Sequence, residues 1–509
     1  MFSFDLTKEG WIPCLKGGKG AELSLADVLL DAHNIGEVNG ESPPVTIALH
    51  RLLLALLHRI YRGPKSTDEW AALFERGSFD PEKINGYFSE HHDRFDLFSE
   101  KHPFYQSASA RGSVQQGAVI QLYFQGKNNA TLFDHTSTSA PKELSPAEAA
   151  RHLVAFQGFD FGGTKADGSA KTAPLLQSAI ALIRGNSLFE TLMFNLHRYN
   201  GEDGVPFSFN ERDDIPAWER SEETTAQERL PDGPIDLLTW QSRRIALQPE
   251  TNAEEKTIVK DAVIMLGHSF PKTIAMHTKE TMLAFRKNKS GEMFSLGFNE
   301  NRALWRNSLS LLQTVPGENS RPRTFDWLSE LKEDGYVEER TFPIDFYGLA
   351  ADKAKLLFWK HERFELPLVF LNDNDLLADL RRCLEFSDAM GASLHSGIKA
   401  LAGKLETGTG TFPAVGEYWS RMESRFHLLL SRIPSAVDAE MTAWFADAYS
   451  TAFQAFNETS GSLSGSAAEN RAAVAGENEF RKQVNIAIKN KRTEWDKYLP
   501  KFKTKGGNE

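Results

Sequence analysis

At 509 residues the chain is too long for one hydrophobic core, so two or more domains are expected. With 41% hydrophobic and 25% charged residues, and 35 Phe and 10 Trp, the composition excludes disorder over most of the length. A net charge of −11 argues against a protein that coats itself in nucleic acid, because neutralising phosphates needs lysine and arginine.

The opening MFSFDLTKEGW has neither a basic nor an apolar leader region, so no signal peptide is expected. The two cysteines, Cys14 and Cys383, are far apart. They build no disulfide framework and no cysteine-based zinc site, which suits a reducing cytoplasm. The residues from Phe2 to Leu15 read as strand. Ser24 then caps a helix through Val28, Leu29 and Leu30. After Pro43-Pro44, VTIALHRLLLALLHRIYRG is apolar around nearly its whole circumference, which predicts a buried helix with Gly63 as its stop. Its aliphatic run, Leu52–Leu57, is too short to span a bilayer, and no membrane partner is expected. A further helix is predicted at Asp68–Glu75.

From Gly112 to Lys171 the sequence is loop-rich, apart from a helix near Pro146–Phe156. Alternation over Asp236–Phe298 predicts antiparallel strands, and a helix returns at Arg302–Gln313. Beyond Pro367 the character changes. Four amphipathic stripes follow, from Leu376 to Leu401, Val415 to Ile433, Trp444 to Phe456, and Val474 through Phe480 and Val484 to Tyr498. Turn-formers separate them. The expected fold class is therefore α+β, with a mixed N-terminal domain over 1–367 and an antiparallel four-helix bundle over 368–509. Cys383 falls on the first stripe and reads as core.

Candidate chemistry is sparse. Gly158–Lys165 has the glycine spacing of a phosphate-binding loop, but the order Thr164-Lys165 reverses the required Lys-Ser/Thr, so an NTPase reading fails. His91-His92-Asp93 offers a metal-dependent hydrolase using His92 and Asp93 as the alternative. Adjacent histidines diverge on any regular element, however, and no second cluster accompanies them. His50 and His58 flank the buried helix and read as satisfied or surface-directed. What remains is Gly162-Gly163, whose backbone can approach a groove or phosphate closely, with Lys165 as one added cation. A plain surface turn is the competing reading. The acidic run Glu211–Glu228 contrasts with a basic C-terminal stretch from Lys489 to Lys505, a pattern suited to contacting nucleic acid in a few places.

Several strings in order carry a family resemblance: Trp11–Pro13, LADVLLDAHNI, LHRLLLALL, LFERGSFD at Leu73–Asp80, DRFDLFSEKHPFYQ at Asp93–Gln106, NNATLFDHT at Asn128–Thr136, DLLTWQSRRIALQPE at Asp236–Glu250 and RALWRN at Arg302–Asn307. Together they resemble the CasA family, the large subunits of type I-E CRISPR surveillance complexes (Cascade), over nearly the whole chain. The resemblance implies a subunit without an active site or cofactor of its own. Its partners would be the other Cascade subunits and guide RNA, double-stranded target DNA, and a helicase-nuclease effector. It also implies recognition of the protospacer-adjacent motif (PAM) and help in opening the duplex.

By resemblance, Leu132, Phe133 and Asp134 match a loop near the guide RNA. Gly162 and Gly163 match the loop facing the PAM minor groove, and Lys272 matches the lysine entering it. Asp352 and Lys353 match the wedge turn, where the best-studied pattern has Asn-Gln; that departure bears on both the wedge and PAM preference. Some relatives carry cysteine clusters able to hold zinc, and two distant cysteines do not, so no structural zinc is expected. On the bundle, Arg481, Lys482, Lys489 and Arg492 are candidate phosphate contacts. A helical scaffold without nucleic-acid contact is the third reading.

Overall fold

A computed structural model describes residues 2–112, 142–221, 225–272, 275–299, 302–352 and 355–499. By contact, the described residues of 1–300, 314–338 and 342–363 form one compact unit, and those of 301–313, 339–341 and 364–509 form a second.

The first unit opens on β1 (Ile12–Lys16), paired antiparallel with β2 (Lys19–Leu23) and β3 (Ile35–Val38). The strand is shorter than the sequence suggests. Phe4 and Leu6 instead exchange backbone bonds with Phe95 and Leu97, which anchors the N-terminus without a ladder. Between β2 and β3, the Ser24 hydroxyl accepts from Asp27 N and starts α1 (Leu25–Leu30), as expected for this cap.

Helix α2 (Pro43–Tyr61) is buried from Pro44 through His58, in line with its all-round apolar sequence. It stops at Arg62, not Gly63. Arg62 adopts φ +53, its N–H donates to His58 O, and its guanidinium bonds Glu211 O at 2.6 Å, a tertiary contact that offsets the backbone strain. Helices α3 (Thr67–Glu75) and α4 (Pro81–Glu90) follow, capped by Ser66 and Asp80. Both helix-flanking histidines are interior. His50 donates Nδ1–H to Thr46 O at 2.8 Å and His58 donates to Gly63 O at 3.1 Å; burial lowers both pKa values, His50 to about 4, so each ring is neutral at pH 7.

A full capping box, Ser145 with Glu148, begins α5 (Pro146–Phe159). A hairpin of β4 (Gly163–Lys165) and β5 (Gly168–Ala170) comes next. The would-be phosphate loop thus follows a helix and enters a strand, the reverse of a phosphate-binding loop. Then come β6 (Ala179–Ile183), α6 (Leu188–Asn195) and α7 (Pro234–Leu238). Alternation alone reads 236–238 as strand, but Asp214 accepts the N–H groups of Ile235 and Asp236 and nucleates a helix there. The long pair β7 (Arg243–Thr251) and β8 (Thr257–Leu266) bears out the antiparallel reading, as do the short β9 (Phe285–Lys287) and β10 (Met293–Ser295). The expected helix over 302–313 shrinks to a 3-10 turn at Leu304–Asn307 and α8 (Ser308–Leu312). After β11 (Asn319–Ser320) and α9 (Arg323–Glu333), the long strands β12 (Thr341–Asp352) and β13 (Lys355–Pro367) join β6 in the order β13-β12-β6.

The second unit is built on α10 (Asn374–Lys404), α11 (Ala414–Arg432), α12 (Val437–Gly461) and α13 (Ala467–Asn490), with a last turn α14 (Arg492–Trp495). They form the expected four-helix bundle: α10 packs on α11, α12 and α13, and α11 packs on α12. Cys383, Met422, Phe426, Phe445, Ala452 and Phe480 are fully buried. One position on the fourth stripe departs from expectation. Val474 is 59% exposed, whereas Ala472 is buried and Gly476 faces Gly397 and Leu401 of α10.

Candidate nucleic-acid interface

The β4–β5 hairpin is held at its root by one carboxylate. Asp160, 5% exposed at the end of α5, accepts from Arg243 Nε at 2.5 Å, Lys165 Nζ at 2.7 Å and Gly162 N at 3.3 Å. Arg243 also donates to Lys171 O, the residue after β5, so both ends of the hairpin hang on the same pair. At the tip, Asp167 accepts from Arg244 Nη2 and from Leu266 N, both at 2.7 Å, and Ala166 N donates to Ile264 O. The hairpin is therefore strapped along β8.

Gly162 and Gly163 have φ of +75° and +84°, a region that disfavours other residues. They differ in surroundings. A Cβ on Gly162 meets Ala170 O at 2.8 Å, whereas one on Gly163 meets nothing within 4 Å. Gly162 is required for packing and Gly163 presents exposed backbone. Lys165 does not project: its ammonium is buried between Asp160, Gly162 O and the Phe156 ring. A phosphate contact from Lys165 would have to break that pair.

Lys272 lies in an exposed turn and makes no ion pair among the described residues. Its segment borders the hairpin, since Lys171 Nζ lies 3.5 Å from Ser269 Oγ and 2.9 Å from Glu228. Asp352 ends β12, and Lys353 lies outside the described residues, as do Leu132, Phe133 and Asp134. The neighbouring Ala351 carbonyl accepts from Gln177 Nε2 at 2.5 Å, which ties that end of β12 to the segment leaving the hairpin. Three stretches far apart in sequence are thus linked through direct contacts. Asp160, Arg243 and Arg244, which hold the hairpin, carry no sequence signal beyond ordinary polarity within apolar stretches.

On the bundle, all four candidate cations are exposed. Arg481 pairs with Glu477 at 2.7 Å and lies over Phe453, Lys482 pairs with Glu479 at 3.3 Å, and Arg492 sits 3.6 Å from Asp496. Lys489 has no ion pair among the described residues. The alternative site is not assembled. His92 turns back to Ser89 O, and Asp93 lies 3.6 Å from Arg94 and 4.0 Å from His102. Among the described residues no group of three or more His, Cys, Asp or Glu could hold a metal. No described helix is long and apolar enough to cross a membrane.

Fold and site together define a mixed α+β protein that carries a strapped glycine hairpin on one unit and a helical bundle as the other. The chain belongs to the CRISPR-associated Cse1 family, whose model matches residues 5–455. The CRISPR-associated protein CasA/Cse1 of Thermus thermophilus is 29% identical over 504 residues, covering 94% of this chain and 96% of the relative. The crystal structure of Cse1 from Acidimicrobium ferrooxidans superposes with a TM-score of 0.78 at 25% identity, covering 96% of this chain and 99% of that one. A chain of a CRISPR RNA-guided surveillance complex shares the fold with a TM-score of 0.76 at 20% identity, over 94% and 99% of the two chains.

Proposed function

We propose that the chain is the non-catalytic large subunit of a type I-E CRISPR surveillance complex. In this reading it recognises the PAM in double-stranded DNA, aids duplex opening for guide-RNA pairing, and helps recruit the helicase-nuclease. The observation that carries it is the exposed, positive-φ backbone at Gly163, fixed on a hairpin beside the segment of Lys272. The minor groove offers mainly acceptors and one guanine amino group, so exposed backbone and a single lysine read it permissively. Asp352 and Lys353 serve as the wedge that holds the first step open, at a cost of a few kcal/mol of unstacking. Leu132, Phe133 and Asp134 meet the guide complex, and the bundle cations contact backbone phosphate.

The test is reconstitution. The chain should co-purify stoichiometrically with a guide-RNA complex and confer PAM-dependent duplex binding on it. Lys272→Ala should weaken binding to PAM duplex far more than to a target with a pre-opened bubble. Equal loss on both substrates would rule out the groove role.

A further inference from the structure

We propose that the first unit holds a second, small anion site, a pocket for one tetrahedral phosphate-class oxyanion behind the glycine hairpin. A cavity of about 40 Å³ is lined by Arg94, Lys101, His102, Arg220, Arg244 and His268, among other residues. That is room for about three waters, the scale of a small ion. Four cationic side chains and two imidazoles line it, and among the described residues no carboxylate does. The carboxylates that serve these cations lie outside the lining: Asp93 is 3.6 Å from Arg94, Asp232 and Asp236 are 2.8 and 3.3 Å from Arg220, and Asp167 is 2.7 Å from Arg244.

The interior of the cavity is rich in donors and poor in charged acceptors. Arg94 Nη1 lies 3.1 Å from His102 Nδ1. A guanidinium only donates, so Nδ1 accepts, and His102 carries its proton on Nε2. Arg220 Nε is buried and meets no acceptor among the described residues. Lys101 is exposed at the rim and has no ion pair among the described residues, so its charge is available to an entering ligand. An oxyanion supplies the acceptors this constellation lacks, and charge-assisted bonds of this kind are the strong ones.

The site reaches the hairpin through Arg244, which lines the cavity and also holds Asp167 at the hairpin tip. An anion here therefore draws on the same guanidinium that straps the hairpin down. The phosphate has two sources, free inorganic phosphate or a backbone phosphodiester of nucleic acid, and both present the same oxygens.

The test uses the full chain. Inorganic phosphate is titrated by calorimetry at low ionic strength into the wild-type protein, into K101M and K101R, and into K399M. Lys399 is an exposed lysine of α10 with the same charge change on the other unit. The expected result is saturable binding that K101M weakens about tenfold, as losing one charge-assisted bond would. K101R should restore it, and K399M should leave it unchanged. A second arm titrates a short single-stranded oligonucleotide, with and without excess phosphate. Competition between the two assigns the site to backbone phosphate, and phosphate binding without competition assigns it to the free ion. Absence of saturable phosphate binding, or equal loss in K101M and K399M, would overturn the site.

Discussion

Asp345 shows how one buried carboxylate can hold a neighbourhood. It is fully buried, and it accepts from Arg363 Nε and Nη2 at 2.7 and 2.9 Å and from Tyr347 Oη at 3.0 Å, with His361 Nε2 at 2.9 Å and Arg184 Nε at 3.5 Å. Burial pushes its carboxyl up, but the bonds from Arg363 and His361 outweigh that and hold it well below the usual carboxylate range. Because the folded pKa is depressed, the stabilisation is complete above the unfolded value of about 3.9 and is lost as pH falls from there toward the folded pKa. Asp345→Asn should cost about 3–5 kcal/mol at neutral pH and flatten the acid limb of a denaturant-unfolding series; an unchanged acid limb would refute it. The thiols give a second check. Burial pushes Cys14 up to about 12 and raises Cys383 further, so neither should react with a thiol reagent until the chain is unfolded.

At the scale of elements, small residues decide how closely the bundle helices approach. A Cβ on Gly476 of α13 would meet Gly397 O of α10 at 2.9 Å and Leu401 Cβ at 2.9 Å; one on Gly397 would meet Phe480 Cβ at 2.7 Å. Gly476→Val should destabilise the bundle by about 1–3 kcal/mol through overpacking, read as a lowered Tm of helical circular dichroism. An unaltered Tm would show that α13 shifts freely along α10. The hairpin depends in the same way on Asp160. Asp160→Asn weakens the hold on Lys165 and Arg243, and should speed amide exchange in 162–171 while leaving the bundle's protection intact.

For the whole molecule, an acidic body with local cations predicts few phosphate contacts and a correspondingly modest salt dependence. In the reconstituted complex, Lys489→Ala should reduce the slope of log affinity against log salt by about one, roughly independent of DNA sequence, whereas Lys272→Ala should also erode PAM preference. A slope that does not move in Lys489→Ala would take that lysine out of the interface.

Periodicity and caps, read without any structure, determined that the last third is a four-helix bundle, that α2 is a buried core helix, and that antiparallel strands fall within 236–298. Each of these is a local statement: which face of an element is apolar, or which residue accepts the first free N–H groups. The same local logic excluded a phosphate-binding loop at Gly158–Lys165. Only the tertiary structure decided that Arg62 ends α2, that Trp305 is buried against Phe426 and Trp444, that Val474 faces solvent, and that Lys165 is turned inward onto Asp160. Most of those outcomes depend on partners tens to hundreds of residues away, and a hydrogen bond or ring contact of that span leaves no periodicity in the chain that makes it.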